Sequence, residues 1–119
     1  MILPDDVTEI CSYAFTGSTI RTISAKNVQK IGFAAFDSSD YLESLDTTNF
    51  PNIVEIGDSA FYQCKNIEKI DFSHSKTLIT IDQSAFKDCD GLLELGLPNT
   101  LKTLGEVAFG SLNNLSTII

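Results

Sequence analysis

The segment IGDSAFYQC (56–64) sets an acid, Asp58, a phenol, Tyr62, and a thiol, Cys64, around one aromatic ring. A nucleophilic thiol needs a base to take its proton and a further group to orient that base. The only histidine, His74, stands in the loop SHSK without an organised partner and reads as a solvated imidazole. The three cysteines, Cys11, Cys64 and Cys89, lack the CxxC spacing of a zinc site and are too few for a disulfide framework. Carboxylate pairs of the kind that hydrolyse glycosides require a cleft to hold the sugar. No nucleophile–base pair, phosphate loop or metal-ligand spacing is present. The reading is therefore a non-enzymatic chain with no catalytic residue, no cofactor and no metal.

The same segment recurs, and the recurrence explains it better than chemistry does. Ala-Phe pairs end at Phe15, Phe36, Phe61, Phe86 and Phe109, spaced 21, 25, 25 and 23 residues apart. Before each Phe, at minus eight and minus five, stand Val7 and Ile10, Val28 and Ile31, Ile53 and Ile56, Leu78 and Ile81, and Leu101 and Leu104. After it, at plus six and plus nine, stand Leu42 and Leu45, Ile67 and Ile70, Leu92 and Leu95, and Leu115 and Ile118. In the first unit Ile20 and Ile23 come one residue early, as a deletion in the TGST turn would produce. A fixed period of this length marks a solenoid whose units cannot bury their own apolar face and must stack.

Spacing within the unit predicts its local structure. IEKIDF (67–72) alternates at its end and is rich in β-branched residues, so it reads as a short strand. NIVEIGDSAF reads as a second extended piece closed by a turn, with Gly32, Gly57 and Gly105 placed where positive φ is expected. The DSAFYQC arc suits a single 3₁₀ or α turn that drops the Phe inward. All 119 residues form one domain, with Phe15, Phe36, Phe61, Phe86 and Phe109 as the structural spine. Cys64 and Cys89 fall in one column of neighbouring rungs. Their parallel side chains leave the Cβ atoms too far apart for a bridge, so both read as buried, reduced packing residues. Cys11 lies in another column and has no evident mate.

Charge narrows the partner. The formal net charge is −8, which repels phosphate backbones and anionic membrane surfaces, so no nucleic-acid partner is expected. No apolar run reaches the roughly 20 residues that span a bilayer, and membrane insertion is not expected. MILPDDVTEI has neither a basic n-region nor an apolar h-region, so no signal peptide is read in this chain and localisation stays open.

The pattern LxxIxLPxxLxxIGxxAFxxCxxLxxI, matched in LLELGLPNTLKTLGEVAF (92–109) and IVEIGDSAFYQCKNIEKIDF (53–72), resembles the BspA-like, treponemal or LRR_5 class of leucine-rich repeat. The chain departs from it where Ser18, Ser39 and Leu112 replace Cys and where DTTNF replaces Leu-Pro. The resemblance implies a leucine-rich repeat solenoid, mostly β. It would be a right-handed, horseshoe-like stack of about five 21–25-residue repeats, with a parallel concave sheet and short 3₁₀ or α turns on the convex side. It also implies a surface or secreted protein that adheres to host matrix or cell-surface proteins.

With IEKIDF as the concave strand, the outward residues form columns. One holds Thr22, Ser44, Lys69, Glu94 and Thr117, and the other holds Ser24, Asp46, Asp71 and Gly96. Thr22, Ser24, Ser44, Asp46, Lys69, Asp71 and Glu94 are the candidate protein-binding residues, with Asp46 and Asp71 neighbours about 5 Å apart in a weak acidic patch. Neither end carries a recognisable polar cap. Leu115, Ile118 and Ile119 are accordingly the candidate edge for homo-oligomerisation, or the chain is a fragment of a longer array. Asn114-Leu115-Ser116 fits a glycosylation sequon.

Overall fold

Each rung contributes one very short strand before its Ala-Phe pair, and each after the first contributes a second one after it. The computed structural model describes residues 1–110 and 112–119. In chain order its strands are β1 (Glu9–Ile10), β2 (Lys30–Ile31), β3 (Ser44–Asp46), β4 (Glu55–Ile56), β5 (Lys69–Asp71), β6 (Thr80–Ile81), β7 (Glu94–Gly96), β8 (Thr103–Leu104) and β9 (Thr117–Ile118). They form two wholly parallel sheets, one of five strands ordered β1-β2-β4-β6-β8 and one of four ordered β3-β5-β7-β9. The four-stranded sheet is the predicted concave one. The other is the second extended piece, which the structure turns into a sheet of its own. Every step between paired strands is one full repeat, so this is a parallel β-solenoid.

The predicted Phe spine is a stack of rings. Successive centroids from Phe15 to Phe109 lie 5.1, 5.0, 5.1 and 5.1 Å apart. Phe36, Phe61 and Phe86 are completely buried, and their planes are within 3° of parallel. The spacing follows from the roughly 4.8 Å separation of hydrogen-bonded strands. Ile31, Ile56 and Ile81 lie inward from the five-stranded sheet, and Leu45, Ile70 and Leu95 from the other. The DTTNF departure is accommodated by substitution of position. Thr47 stands two residues after Leu45, the slot that Phe72 and Leu97 fill in later rungs, and its buried hydroxyl has no partner. Phe50, three residues on, supplies the missing ring, fully buried and edge-on to Phe36 at 6.5 Å.

The convex arcs differ from expectation, and the difference is systematic. Among the described residues they contain hydrogen-bonded turns and no helix. Around Phe36 the amides alternate in direction. Ala34, Phe36 and Ser38 donate to the next rung at Asp58, Ala60 and Tyr62 (3.1, 2.7 and 2.8 Å). Ala35, Asp37 and Ser39 donate three residues back within their own rung (3.3, 3.2 and 3.1 Å). A helix would turn every amide back on its own chain. Alternation instead requires left-handed residues, and these fall two residues before and two after the Phe: Tyr13 and Gly17, Ala34 and Ser38, Ser59 and Gln63, Ser84 and Asp88, and Val107 before Phe109, with φ from 48° to 66°. Only one of them is a glycine.

Gly32, Gly57 and Gly105 are not in the left-handed region, which corrects the sequence reading. Their role is close approach. A Cβ on Gly57 would lie 2.5 Å from the Ile31 carbonyl oxygen, and one on Gly32 would lie 2.9 Å from that of Ile10. The first concave strand is the other correction. Thr22–Ser24 forms no ladder with β3; Ser24 bridges to Ile2 instead, and the Asn49 amide reaches Ile23 O at 2.7 Å.

Two outcomes follow. Phe61→Ala removes the middle ring of the stack and should lower unfolding free energy by roughly 3–5 kcal/mol in chemical denaturation. Val107, exposed and β-branched at φ 48°, sits where such residues are strained. Val107→Asn should raise the denaturation midpoint, by about 1 kcal/mol of stability.

Candidate functional site

The register of the four-stranded sheet sets the outward columns. Ser44, Lys69, Glu94 and Thr117 are successive partners, as are Asp46, Asp71 and Gly96. Thr22 and Ser24 are exposed at the N-terminal margin, outside this sheet. There Arg21 lies 3.9 Å from Glu43 and 5.6 Å from the Tyr41 ring centroid. The open face holds a depression of about 580 Å³ lined by Glu43, Ser44, Glu68, Lys69, Leu93, Glu94, Ser116 and Thr117.

Half of that lining was missed by two-residue alternation. Glu43, Glu68, Leu93 and Ser116 form a second exposed column immediately before the first. The reason is a shared acceptor: Glu68 O takes hydrogen bonds from both Leu93 N (2.8 Å) and Glu94 N (3.1 Å), and Leu93 O from Ser116 N (2.9 Å) and Thr117 N (3.1 Å). The chain kinks there and presents two consecutive residues outward. A signal existed in the three-residue spacing of Leu42 and Leu45, which leaves exactly two exposed residues between two buried ones.

Asp46 and Asp71 are neighbours, but their carboxylates are occupied. Asp71 Oδ1 accepts from Ser73 N (3.0 Å) and Ser73 Oγ (2.6 Å). Asp46 Oδ1 accepts from Thr48 N (2.8 Å) and the Thr48 hydroxyl. Both close the turn that ends their strand. The Ser73 hydroxyl, ahead of its backbone amide and the nearby Lys69 and His74 charges, holds the Asp71 carboxyl below the usual aspartate range, against a smaller opposing effect of burial. Gly96 completes the column because a side chain there would strike Asp71 Oδ1. Neither aspartate lines the depression, so the charges within it are those of Glu43, Glu68, Lys69 and Glu94.

The remaining sequence candidates are structural. Cys64 and Cys89 are free and buried, and their thiols donate to Phe36 O (3.0 Å) and Phe61 O (3.2 Å) of the preceding rung. Ser39 makes the same bond to Phe15 O at 2.9 Å, which explains why Ser replaces Cys. Burial pushes the Cys89 thiol up to about 12 and the Cys64 thiol higher still, so both stay protonated at neutral pH. Cys11 is exposed and unpaired by disulfide. Asn114 of the sequon donates its side-chain amide to Asp90 O at 2.7 Å. At the C-terminal end Ile118 and Ile119 are exposed and Leu115 is half-buried; Leu104 and Val107 of the last rung, which the sequence reading left out, are exposed as well. Among the described residues no three His, Cys, Asp or Glu side chains converge as a metal site, and no helix is long and apolar enough to cross a membrane.

This architecture is similar to solved structures of bacterial proteins. The leucine-rich repeat protein of T. pallidum superposes with a TM-score of 0.88 at 28% identity, covering 98% of this chain and 56% of that one. The pneumococcal vaccine antigen PcpA superposes with a TM-score of 0.79 at 31% identity, covering 98% of this chain and 28% of that one. A leucine-rich repeat protein from Bacteroides capillosus shares the fold at 21% identity and a TM-score of 0.57, covering 98% of this chain and 72% of that one. The chain thus spans about half the length of the T. pallidum protein and under a third of PcpA. No curated protein matches the sequence. The family model for the BspA type leucine-rich repeat region matches residues 1–116 in six copies, against five Ala-Phe arcs. The chain belongs to the BspA-type leucine-rich repeat family.

Proposed function

We propose that this chain is an adhesin-like interaction module that binds a protein partner across its four-stranded sheet. Leucine-rich repeat arrays of this family are typically non-enzymatic scaffolds for protein interaction, and that coarser role is the one family and fold carry. The finer reading rests on one observation: the groove presents two outward residues per rung whose types vary while the core beneath them repeats. Glu43, Glu68, Leu93 and Ser116 follow one another in one column, over Leu45, Ile70 and Leu95 packed alike below. Neither ion pair among the described residues uses Glu68, Lys69 or Glu94. Groups left free on an open sheet face suit recognition of another chain. Host matrix or cell-surface proteins are the partners the family resemblance suggests, with a surface or secreted location to match.

The test is binding of the chain to immobilised extracellular-matrix proteins. The variant Glu68→Lys/Lys69→Glu/Glu94→Lys should weaken binding about tenfold or more, with an unchanged melting curve, because it inverts the groove's charge pattern at one exposed and two half-buried positions that lie outside the core and in neither ion pair. Equal binding by variant and wild type rules the groove out.

The second reading is self-association at the C-terminal end, favoured by the exposure of Leu104 (51%) and Ile118 (71%) in the edge strands β8 and β9 and of Val107 (57%) in the last arc. On that reading the wild-type chain forms oligomers in sedimentation velocity at high micromolar concentration, and Leu104→Lys/Ile118→Lys restores the monomer. A wild-type chain that sediments as a monomer removes this reading and leaves the groove reading intact.

A further inference from the structure

A second depression, of about 420 Å³, lies where each rung's loop enters the five-stranded sheet. It is lined by Val54, Lys76, Thr77, Ile79, Thr100 and Lys102, none of which lines the concave groove. Its origin is a break in two repeat columns. Nine residues before the Phe, the second and third rungs carry Asn27 and Asn52, whose amides reach Asp5 O and Lys26 O, each at 2.7 Å. The fourth and fifth carry the shorter Thr77 and Thr100, whose hydroxyls donate instead to Ile53 O (2.7 Å) and Leu78 O (2.6 Å). With the hydroxyl held by the backbone, a methyl is what each threonine has left to line the space. Seven residues before the Phe, the polar Thr8 and Gln29 of the early rungs give way to Val54 and Ile79.

The outcome is an apolar floor open to solvent, with Ile79 38% exposed. Lys76 and Lys102 are its only charged lining, both cationic and both exposed, in a chain of net charge −8. The repeat fold does not require this combination, since the early rungs close the same columns with polar side chains.

We propose that this flank docks a short acidic segment of a partner protein. One aliphatic side chain seats on Val54 and Ile79, and flanking carboxylates pair with Lys76 and Lys102. The apolar floor selects for a side chain that a polyanionic backbone lacks, and the chain's overall negative charge opposes long polyanions at a distance. The surface is separate from the concave groove and stands or falls independently of it.

The test is NMR titration of the isotope-labelled 119-residue chain with the end-blocked peptide Glu-Glu-Leu-Glu-Glu and with its Gln-Gln-Leu-Gln-Gln counterpart. The acidic peptide should shift the Val54 and Ile79 methyl resonances and the Lys102 amide. Its affinity should fall about tenfold in Lys76→Gln/Lys102→Gln, and likewise on raising salt to about 0.5 M. Ile79→Asn, at an exposed position, should abolish the methyl shifts with the melting curve unchanged. Equal binding of the glutamine peptide overturns the proposal. So do shifts centred on Glu43, Lys69 and Glu94, or no shift at millimolar peptide. Lysine-dependent binding to phosphatidylserine vesicles without peptide binding would reassign the flank to lipid and also overturn it.

Discussion

In a solenoid whose strands are two or three residues long, what must be satisfied is the backbone between them. The convex arc of each of the first three rungs places six consecutive amides in a tight curve. Half of them reach the carbonyls of the next rung and half close turns within their own. This alternation is the constraint on which the rest depends. It sets the rung separation near 5 Å, which stacks the phenylalanines and aligns the aliphatic columns. Holding non-glycine residues in the left-handed region costs about 1–2 kcal/mol apiece. An unpaired buried amide costs a comparable amount or more, so the strained backbone is the lower-energy arrangement.

The same axial logic governs the side chains. Cys64, Cys89 and Ser39 each donate to the carbonyl of the Phe one rung earlier. Asn27, Asn52, Asn66 and Asn114 each reach a carbonyl of the preceding rung from the loop or strand margin. Because these bonds run rung to rung, they carry register between units that bury little on their own. Of the outer residues of the four-stranded sheet, Ser116 adds one such bond, to Leu93 O at 3.3 Å, while Asp46 and Asp71 only close their own turns. Recognition chemistry is thereby confined to side chains whose replacement leaves the scaffold intact, and this is why one repeat architecture supports different surfaces.

The two depressions illustrate how surface character arises from small departures in a repeat. On the concave face, a shared carbonyl acceptor turns two residues per rung outward and doubles the width of the exposed strip. On the loop flank, exchange of Asn for Thr shortens one column while Val54 and Ile79 make its neighbour apolar. One surface is predominantly acidic and the other cationic at its margins, so a single small chain offers two chemically distinct faces.

The period, the inward columns and the Phe spine were legible in the residues alone, because burial imposes a strict spacing on apolar side chains and the spacing recurs five times. The register of the concave columns from Ser44 to Thr117 was legible for the same reason. Other features were decided by tertiary structure. The left-handed residues are Tyr, Ala, Ser, Gln, Asp and Val as well as one Gly, types without a common local signature. From Tyr13 to Ser84 their conformation goes with amides donating to the next rung, whereas Gly32 and Gly57 answer to a carbonyl pressing from the rung before. The failure of Thr22–Ser24 to join the sheet likewise depends on Met1–Leu3 hydrogen-bonding to Ser24 and on the Asn49 amide reaching Ile23 O. Apolar spacing is written in one chain segment at a time; the direction of a hydrogen bond exists only once two rungs lie side by side.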